Sequence, residues 1–122
     1  MSSEHTEQCK VIEWATWNRN LHPALELLFA IPNGGKRHVI TAKRLQREGV
    51  KAGVPDLCLP WPTKRHPGLY IEMKYGKNTV SGKQRWWLER LSSVGYCVSV
   101  CYSAEAAITE ICDYLKVKPC QS

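Results

Sequence analysis

Two short apolar runs, each fenced by glycine and proline, constrain this chain more than anything else in it. The first reads Gly53-Val54-Pro55-Asp56-Leu57-Cys58-Leu59-Pro60 and the second Gly68-Leu69-Tyr70-Ile71-Glu72-Met73-Lys74. Runs with such boundaries are strand signals, and the Trp/Pro/Lys/Arg/His loop between them predicts a hairpin. Alternation then sorts the side chains. Leu57 and Leu59 point to one side of their strand, Asp56 and Cys58 to the other. On the second strand Leu69, Ile71 and Met73 oppose Tyr70, Glu72 and Lys74. The apolar face demands a core. The other face gathers two carboxylates and an ammonium where a well-buried sheet normally has none.

The remaining segments surround this hairpin with helices and two more strands. Ser3 is an N-cap for a helix to Asn18, whose inner stripe carries Gln8, Val11, Ile12 and Ala15. Glu4 lies one turn before Gln8 and Glu7 one turn before Val11, so either carboxylate can lean inward. A carboxylate in a first helical turn is more often a dipole partner only. After His22-Pro23, the Leu-rich stretch reads as a strand over Leu27–Ile31, with room for one helical turn around Leu25. It ends at the turn Pro32-Asn33-Gly34-Gly35. Thr41–Glu48 reads as a short helix closed by Gly49. Beyond the hairpin, Ser81 and Gln84 fit a capping box opening a helix with Trp87, Leu88 and Leu91 on one stripe. Gln84 either caps that helix or faces the sheet. Cys97–Cys101 alternates as a strand, and Ser103 caps a final helix with the stripe Ala104, Ala107, Ile108, Ile111 and Leu115. The order αβαββαβα predicts an α/β fold, a mixed sheet flanked by helices.

Residues 1–122 read as one domain with its core over about residues 4–115 and a short polar tail, long enough to bury a core without disulfides. Five tryptophans are a heavy aromatic load for this length. Trp61 and the Trp86-Trp87 pair fit a core, a dimer contact or a nucleic-acid stacking surface equally well. No stretch approaches the roughly 20 apolar residues that span a bilayer. The polar start Met1-Ser2-Ser3-Glu4-His5 is unlike a signal peptide, which points to the cytoplasm. None of the six cysteines forms a Cys-x-x-Cys pair. That spacing disfavours zinc and favours reduced thiols used as small buried hydrophobes.

Charge points to a polyanion. Lys and Arg total 17 against 11 Asp and Glu, for a net +6. Lys36, Arg37, His38, Lys43, Arg44, Arg47 and Lys51 crowd one segment beside the glycine turn. They make a phosphate-contacting surface rather than a merely solvated helix face, because the Pro55-Asp56 pair follows at once.

Asp56 and Glu72 on neighbouring strands bring two hard oxygen donors together. Mg²⁺ binds through one or two carboxylates plus waters and substrate phosphate oxygens, so the pair suffices. Lys74 emerges on the same face about 6.5 Å beyond Glu72. From there it can hold or help deprotonate an attacking water and steady charge on a phosphate. Met73 turns its side chain away, but its backbone carbonyl can add a ligand. A lone Glu-x-Lys would be an ordinary solvent-facing pair. Preceded by Gly-Val-Pro-Asp at hairpin distance, it reads better as a metal site.

The set Pro55-Asp56 … Glu72-Met73-Lys74 resembles the PD-(D/E)XK nuclease superfamily. More narrowly, the chain is similar to stand-alone VRR-NUC domains of bacteriophages and bacteria. The likeness runs from Glu4-x-x-x-Gln8 to about Leu115. It takes in Pro32-Asn33-Gly34-Gly35, Gly49-Val50-x-x-Gly53-Val54-Pro55-Asp56-Leu57, Ile71-Glu72-Met73-Lys74, and Ser81-x-x-Gln84 with Leu91 and Gly95-Tyr96. The resemblance implies a restriction-endonuclease-like sheet and a Mg²⁺- or Mn²⁺-dependent endonuclease that hydrolyses DNA phosphodiesters. Position by position, it assigns Glu4 (alternate Glu7), Asp56 and Glu72 to the metal, Lys74 to catalysis and Gln84 to the site. Small members are similar to Holliday junction resolvases, which implies a homodimer cutting four-way or other branched DNA. Two symmetric cuts need two sites related by a two-fold axis. A nuclease or nickase on ordinary duplex DNA uses the same residues, and a non-catalytic DNA-binding module stands as the alternative of another class.

Overall fold

The computed structural model describes residues 2–32 and 39–117. Helix α1 spans Glu4–Asn18, and Ser3 caps it by accepting from the Thr6 N–H. A 3₁₀ turn over Pro23–Leu27 follows, then strand β1, Phe29–Ala30. Helix α2 is Val39–Arg47, strands β2 and β3 are Leu57–Leu59 and Leu69–Met73, and helix α3 is Gly82–Ser93. Strand β4, Cys97–Cys101, and helix α4, Ala104–Leu115, complete the chain.

The four strands form one sheet in the order β1-β2-β3-β4. The expected hairpin is there, antiparallel with Leu57 opposite Ile71, and β1 also pairs antiparallel with β2. β4 is parallel to β3 in the register Met73 opposite Cys101. A parallel neighbour needs a crossover, and α3 supplies it. The expected mixed α/β sheet is the one observed.

The apolar face of the hairpin lies where alternation puts it. Leu57, Leu59, Leu69, Ile71 and Met73 are buried against Val11, Trp14 and Ala15 of α1 and Ala107 and Ile111 of α4. Burying a large aliphatic side chain is worth about 1.5–3 kcal/mol, so this layer fixes the sheet against the α1–α4 pair. The first strand is shorter than the predicted Leu27–Ile31. Pro23 pre-sets the first 3₁₀ residue, Leu25 is drawn into the core at 3 % exposure, and Leu27 is left 44 % exposed. Pairing nevertheless continues past β1, since the Ile31 N–H donates to the Asp56 carbonyl at 2.8 Å. The second helix begins at Val39, two residues before the expected Thr41. The turn residues Asn33, Gly34 and Gly35, with Lys36, Arg37 and His38, lie outside the described residues.

Helix α3 departs from expectation more. Its stripe of Trp87, Leu88 and Leu91 is only half-buried, and none of its residues is fully buried. Its neighbours are strand β4 at the sheet edge and the polar face of β3, not the core layer. No helix among the described residues is long and apolar enough to cross a membrane.

Candidate active site

Three residues in or beside the central strands and one helix residue build the centre. Asp56 leads into β2, and Glu72 sits near the end of β3 with Lys74 just beyond it. Because β2 and β3 are antiparallel with Leu57 opposite Ile71, Asp56 comes to lie across from Glu72. The side chains are fixed as well as the backbones. Asp56 Oδ2 accepts the Met73 N–H at 2.7 Å, which ties the carboxylate to the neighbouring strand. The Lys74 N–H donates to the Cys101 carbonyl at 2.9 Å, extending the β3–β4 pairing by one residue.

Glu72 and Lys74 are not the solvent-facing pair that an isolated Glu-x-Lys suggests. They are 1 % and 7 % exposed. Glu72 Oε1 is buried and has no hydrogen-bond partner among the described residues. Burial, then the Asp56 carboxyl beside it, push the Glu72 carboxyl up to about 9; Lys74 pulls it the other way, and Glu4 adds a smaller push upward. A buried carboxylate is costly unless a cation or donors compensate it.

Gln84 does both things left open for it. Its side-chain oxygen accepts from the Ser81 N–H at 2.8 Å while its Nε2 donates to Glu72 Oε2 at 3.3 Å. The Ser81 hydroxyl accepts from the Gln84 N–H, completing the capping box. The helix start is therefore hydrogen-bonded to the site residue of the sheet.

The two candidates on α1 separate. Glu7 is buried, and its carboxylate accepts from the Ala104 N–H at 2.9 Å, from Lys10 Nζ at 3.0 Å and from the Ser2 hydroxyl. Those donors, Ser2 first, hold it down to about 2. It is committed to the N-terminus of α4. Glu4 is half-buried, accepts from Asn78 Nδ2 at 3.3 Å, and is the one whose charge acts on Glu72. Glu4 still does not close a three-carboxylate cluster with Asp56 and Glu72, since no three His, Cys, Asp or Glu side chains among the described residues converge on one point. Cys9, Cys58, Cys97 and Cys101 are free thiols.

Asp56, Glu72 and Gln84 are thus brought together, with Lys74 and Glu4 acting on Glu72 through their charge. Lys43, Arg44, Arg47 and Lys51 are all exposed, and Arg44 shares its charge with Glu48 at 3.3 Å. Sequence reasoning missed Asn78, which anchors Glu4 from 74 residues away. It also missed the packing of Gly53 on Lys83, where a Cβ on the glycine would lie 2.8 Å from the Lys83 Cβ. Neither carries a local signal, because both depend on what the fold sets beside them.

The donor set fits a hard divalent cation. It offers a carboxylate pair with one buried oxygen lacking a donor, which a cation would satisfy.

Comparison with known proteins agrees with the geometry. A family model described as "VRR-NUC domain" matches residues 2–105. A Schizosaccharomyces pombe protein described as "Fanconi-associated nuclease 1 homolog" is 27 % identical over 86 residues, which is 70 % of this chain and 12 % of that protein. The chain thus spans about an eighth of the length of that relative. A solved structure described as "VRR_NUC domain protein" superposes with a TM-score of 0.80 at 28 % identity, covering 96 % of this chain and 91 % of the other.

Proposed function

Because this chain belongs to the VRR-NUC domain family, we propose that it is a Mg²⁺- or Mn²⁺-dependent DNA endonuclease selective for branched structures, four-way junctions included, and active as a homodimer. The observation that carries the reading is Glu72, a buried carboxyl beside Asp56 with an oxygen that has no hydrogen-bond partner among the described residues. A chain selected only to fold has no use for it.

Asp56, Glu72 and the Met73 carbonyl are the groups that would hold the ion, with Glu4, which does not converge on them here, assigned to it from the family pattern alone. When bound, the ion supplies Lewis-acid stabilisation of charge on the attacked phosphate and a water acidified toward neutrality. The protein's own residues supply the rest. Asp56 is held in place by the Met73 N–H, so its free oxygen needs no reorganisation. Gln84 orients Glu72 through Oε2. Lys74, sheltered from solvent beside them, positions the attacking water and offsets negative charge as the phosphate is attacked. Lys43, Arg44, Arg47 and Lys51 grip flanking phosphates, with Lys36, Arg37 and His38 assigned to the same role from sequence. Selectivity for branches comes from the shape and basic surface of a dimer rather than from reading base edges.

The experiment is cleavage of labelled four-way, flap and linear duplex DNA in Mg²⁺ or Mn²⁺, run beside a measurement of mass in solution. Junction cleavage by a dimer, abolished by chelator and by Lys74→Ala, is the expected result. Equal cleavage by wild type and Lys74→Ala would sink the assignment. Cleavage of linear duplex at the junction rate would leave a duplex nuclease, and DNA binding without cleavage a non-catalytic module.

A further inference from the structure

A second feature lies next to the carboxylates, on the α3 side. Gln46 and Val50–Ala52 after α2, together with Lys83, Trp86 and Trp87 of α3, line an open cavity of about 360 Å³. Its Lys83 wall is tied to the site twice over. Gly53, packed against Lys83, is three residues before Asp56, and Lys83 directly precedes Gln84, which binds Glu72. The chemistry of the lining is unusual for a fold surface. Trp86 is 54 % exposed and meets Trp87 edge-on, with ring centroids 5.3 Å apart. The Arg90 guanidinium stands 5.6 Å from the Trp86 ring centre. Lys51 and Lys83 add two ammonium groups to the same rim.

We infer that this cavity receives an unpaired nucleotide adjacent to the scissile phosphate, its base stacking on Trp86 and its flanking phosphates meeting Lys51, Lys83 and Arg90. The inference rests on the nuclease reading of the neighbouring carboxylates and names how that site would select its substrate. Exposed aromatics interleaved with cations are the surface that single-stranded nucleic acid uses, because every base has a stacking face and every linkage a charge. The volume lies near the lower end of small-ligand cavities, about 300–1,000 Å³, and so admits a base but no duplex. A protein interface would expose tryptophan too, but interface cores are depleted of lysine, and here two lysines share the lining with the rings. Branched and flapped DNA offers unpaired nucleotides that linear duplex lacks. The cavity would therefore favour branch points even within one protomer.

Binding tests this apart from catalysis. The probes are a fluorescein-labelled oligothymidylate, the same backbone with abasic residues in place of the bases, and a duplex of equal length, all in chelator. Base stacking is worth about 1–3 kcal/mol per base, so wild type should bind oligothymidylate about ten-fold more tightly than the abasic backbone. Trp86→Ala should erase that difference while leaving the abasic affinity unchanged, and Trp86→Phe should restore most of it. Lys83→Ala should weaken every probe alike. Trp86 is exposed on a helix with no buried residue, so the variant is expected to fold. Wild type that does not distinguish bases from the abasic backbone overturns the inference. So does Trp86→Ala that weakens all probes equally. A changed mass in solution with unchanged base discrimination also overturns it and gives the surface to a second copy of the chain. Loss of Mg²⁺-dependent cleavage by wild type, with base discrimination intact, would instead count against the nuclease reading.

Discussion

Glu7 Oε1 accepts the Ala104 N–H at 2.9 Å and so joins the first turn of α1 to the first turn of α4 across 97 residues of sequence. A carboxylate at a helix N-terminus is favoured by the helix dipole, and this one also answers an otherwise unpaired N–H. Glu4, one turn earlier in effect but facing Asn78 and Glu72, has no such structural duty.

The two glutamates should therefore fail differently. Glu7→Gln should lower the melting temperature and leave cleavage per folded molecule near wild type. Glu4→Gln should keep the melting temperature and reduce cleavage at least ten-fold. The pH dependence follows from the same contacts. Glu7 is held at about 2 against the usual 4.5, so its contribution is complete above pH 4.5 and is lost as pH falls toward 2. Thermal melts of wild type and Glu7→Gln should converge at the acid end.

Asp56 ties two strands together and is also the proposed metal ligand, and two substitutions divide these roles. Asp56→Asn keeps an oxygen for the Met73 N–H but removes the charge. It should fold as well as wild type and lose cleavage by at least a hundred-fold. Asp56→Ala should lose cleavage equally and, by leaving a buried N–H unpaired, cost about 1–3 kcal/mol of stability. Denaturant unfolding of the pair measures the difference. If Asp56→Asn retained cleavage, the carboxylate would not be a ligand.

The hairpin was legible because period-two alternation is a local property: Leu57, Leu59, Leu69, Ile71 and Met73 went inward, and Glu72 and Lys74 went to the other face. Family likeness supplied the role proposed for Glu72. The choice between Glu4 and Glu7 was not legible. Both lie on the inward side of α1, and the decision belongs to Ser2, Asn78 and Ala104, two of which are distant in sequence. The stripe on α3 misled for a related reason. Trp87, Leu88 and Leu91 have helical spacing, but spacing says which residues share a face and nothing of whether a partner covers it.

Gly53 adopts φ +89°, and a Cβ there would lie within about 3 Å of the backbone and Cβ of Lys83. An L side chain there is strained by its dihedral and obstructed by a helix that cannot yield like a flexible side chain. Gly53→Ala should destabilise the fold by about 1–3 kcal/mol from the dihedral alone, with the clash adding to it. The displacement should also carry Gln84 off Glu72, so cleavage should fall more than the folded fraction does. Gly76→Ala, also at positive φ but with open space around it, controls for the dihedral and should spare cleavage.

If the proposed ion binds at Glu72, this residue sets the sign of its effect on stability. Its carboxyl is raised to about 9 in the fold against the usual 4.5, so in metal-free protein the native state holds a proton that the unfolded chain has released. Stability from this group is complete below pH 4.5 and is lost as pH climbs toward 9. Metal-free melting temperatures should accordingly fall over that interval, beyond the trend in Glu72→Gln, which carries no ionisable group at this position. On the proposed metal site, Mg²⁺ or Mn²⁺ would compete with that proton, and its stabilisation should grow with pH in wild type and be absent in Glu72→Gln. Melts at pH 6 and pH 8.5, each with and without the ion, decide the matter. An ion-induced shift that is the same at both pH values, or that survives in Glu72→Gln, would place the cation somewhere other than on Glu72.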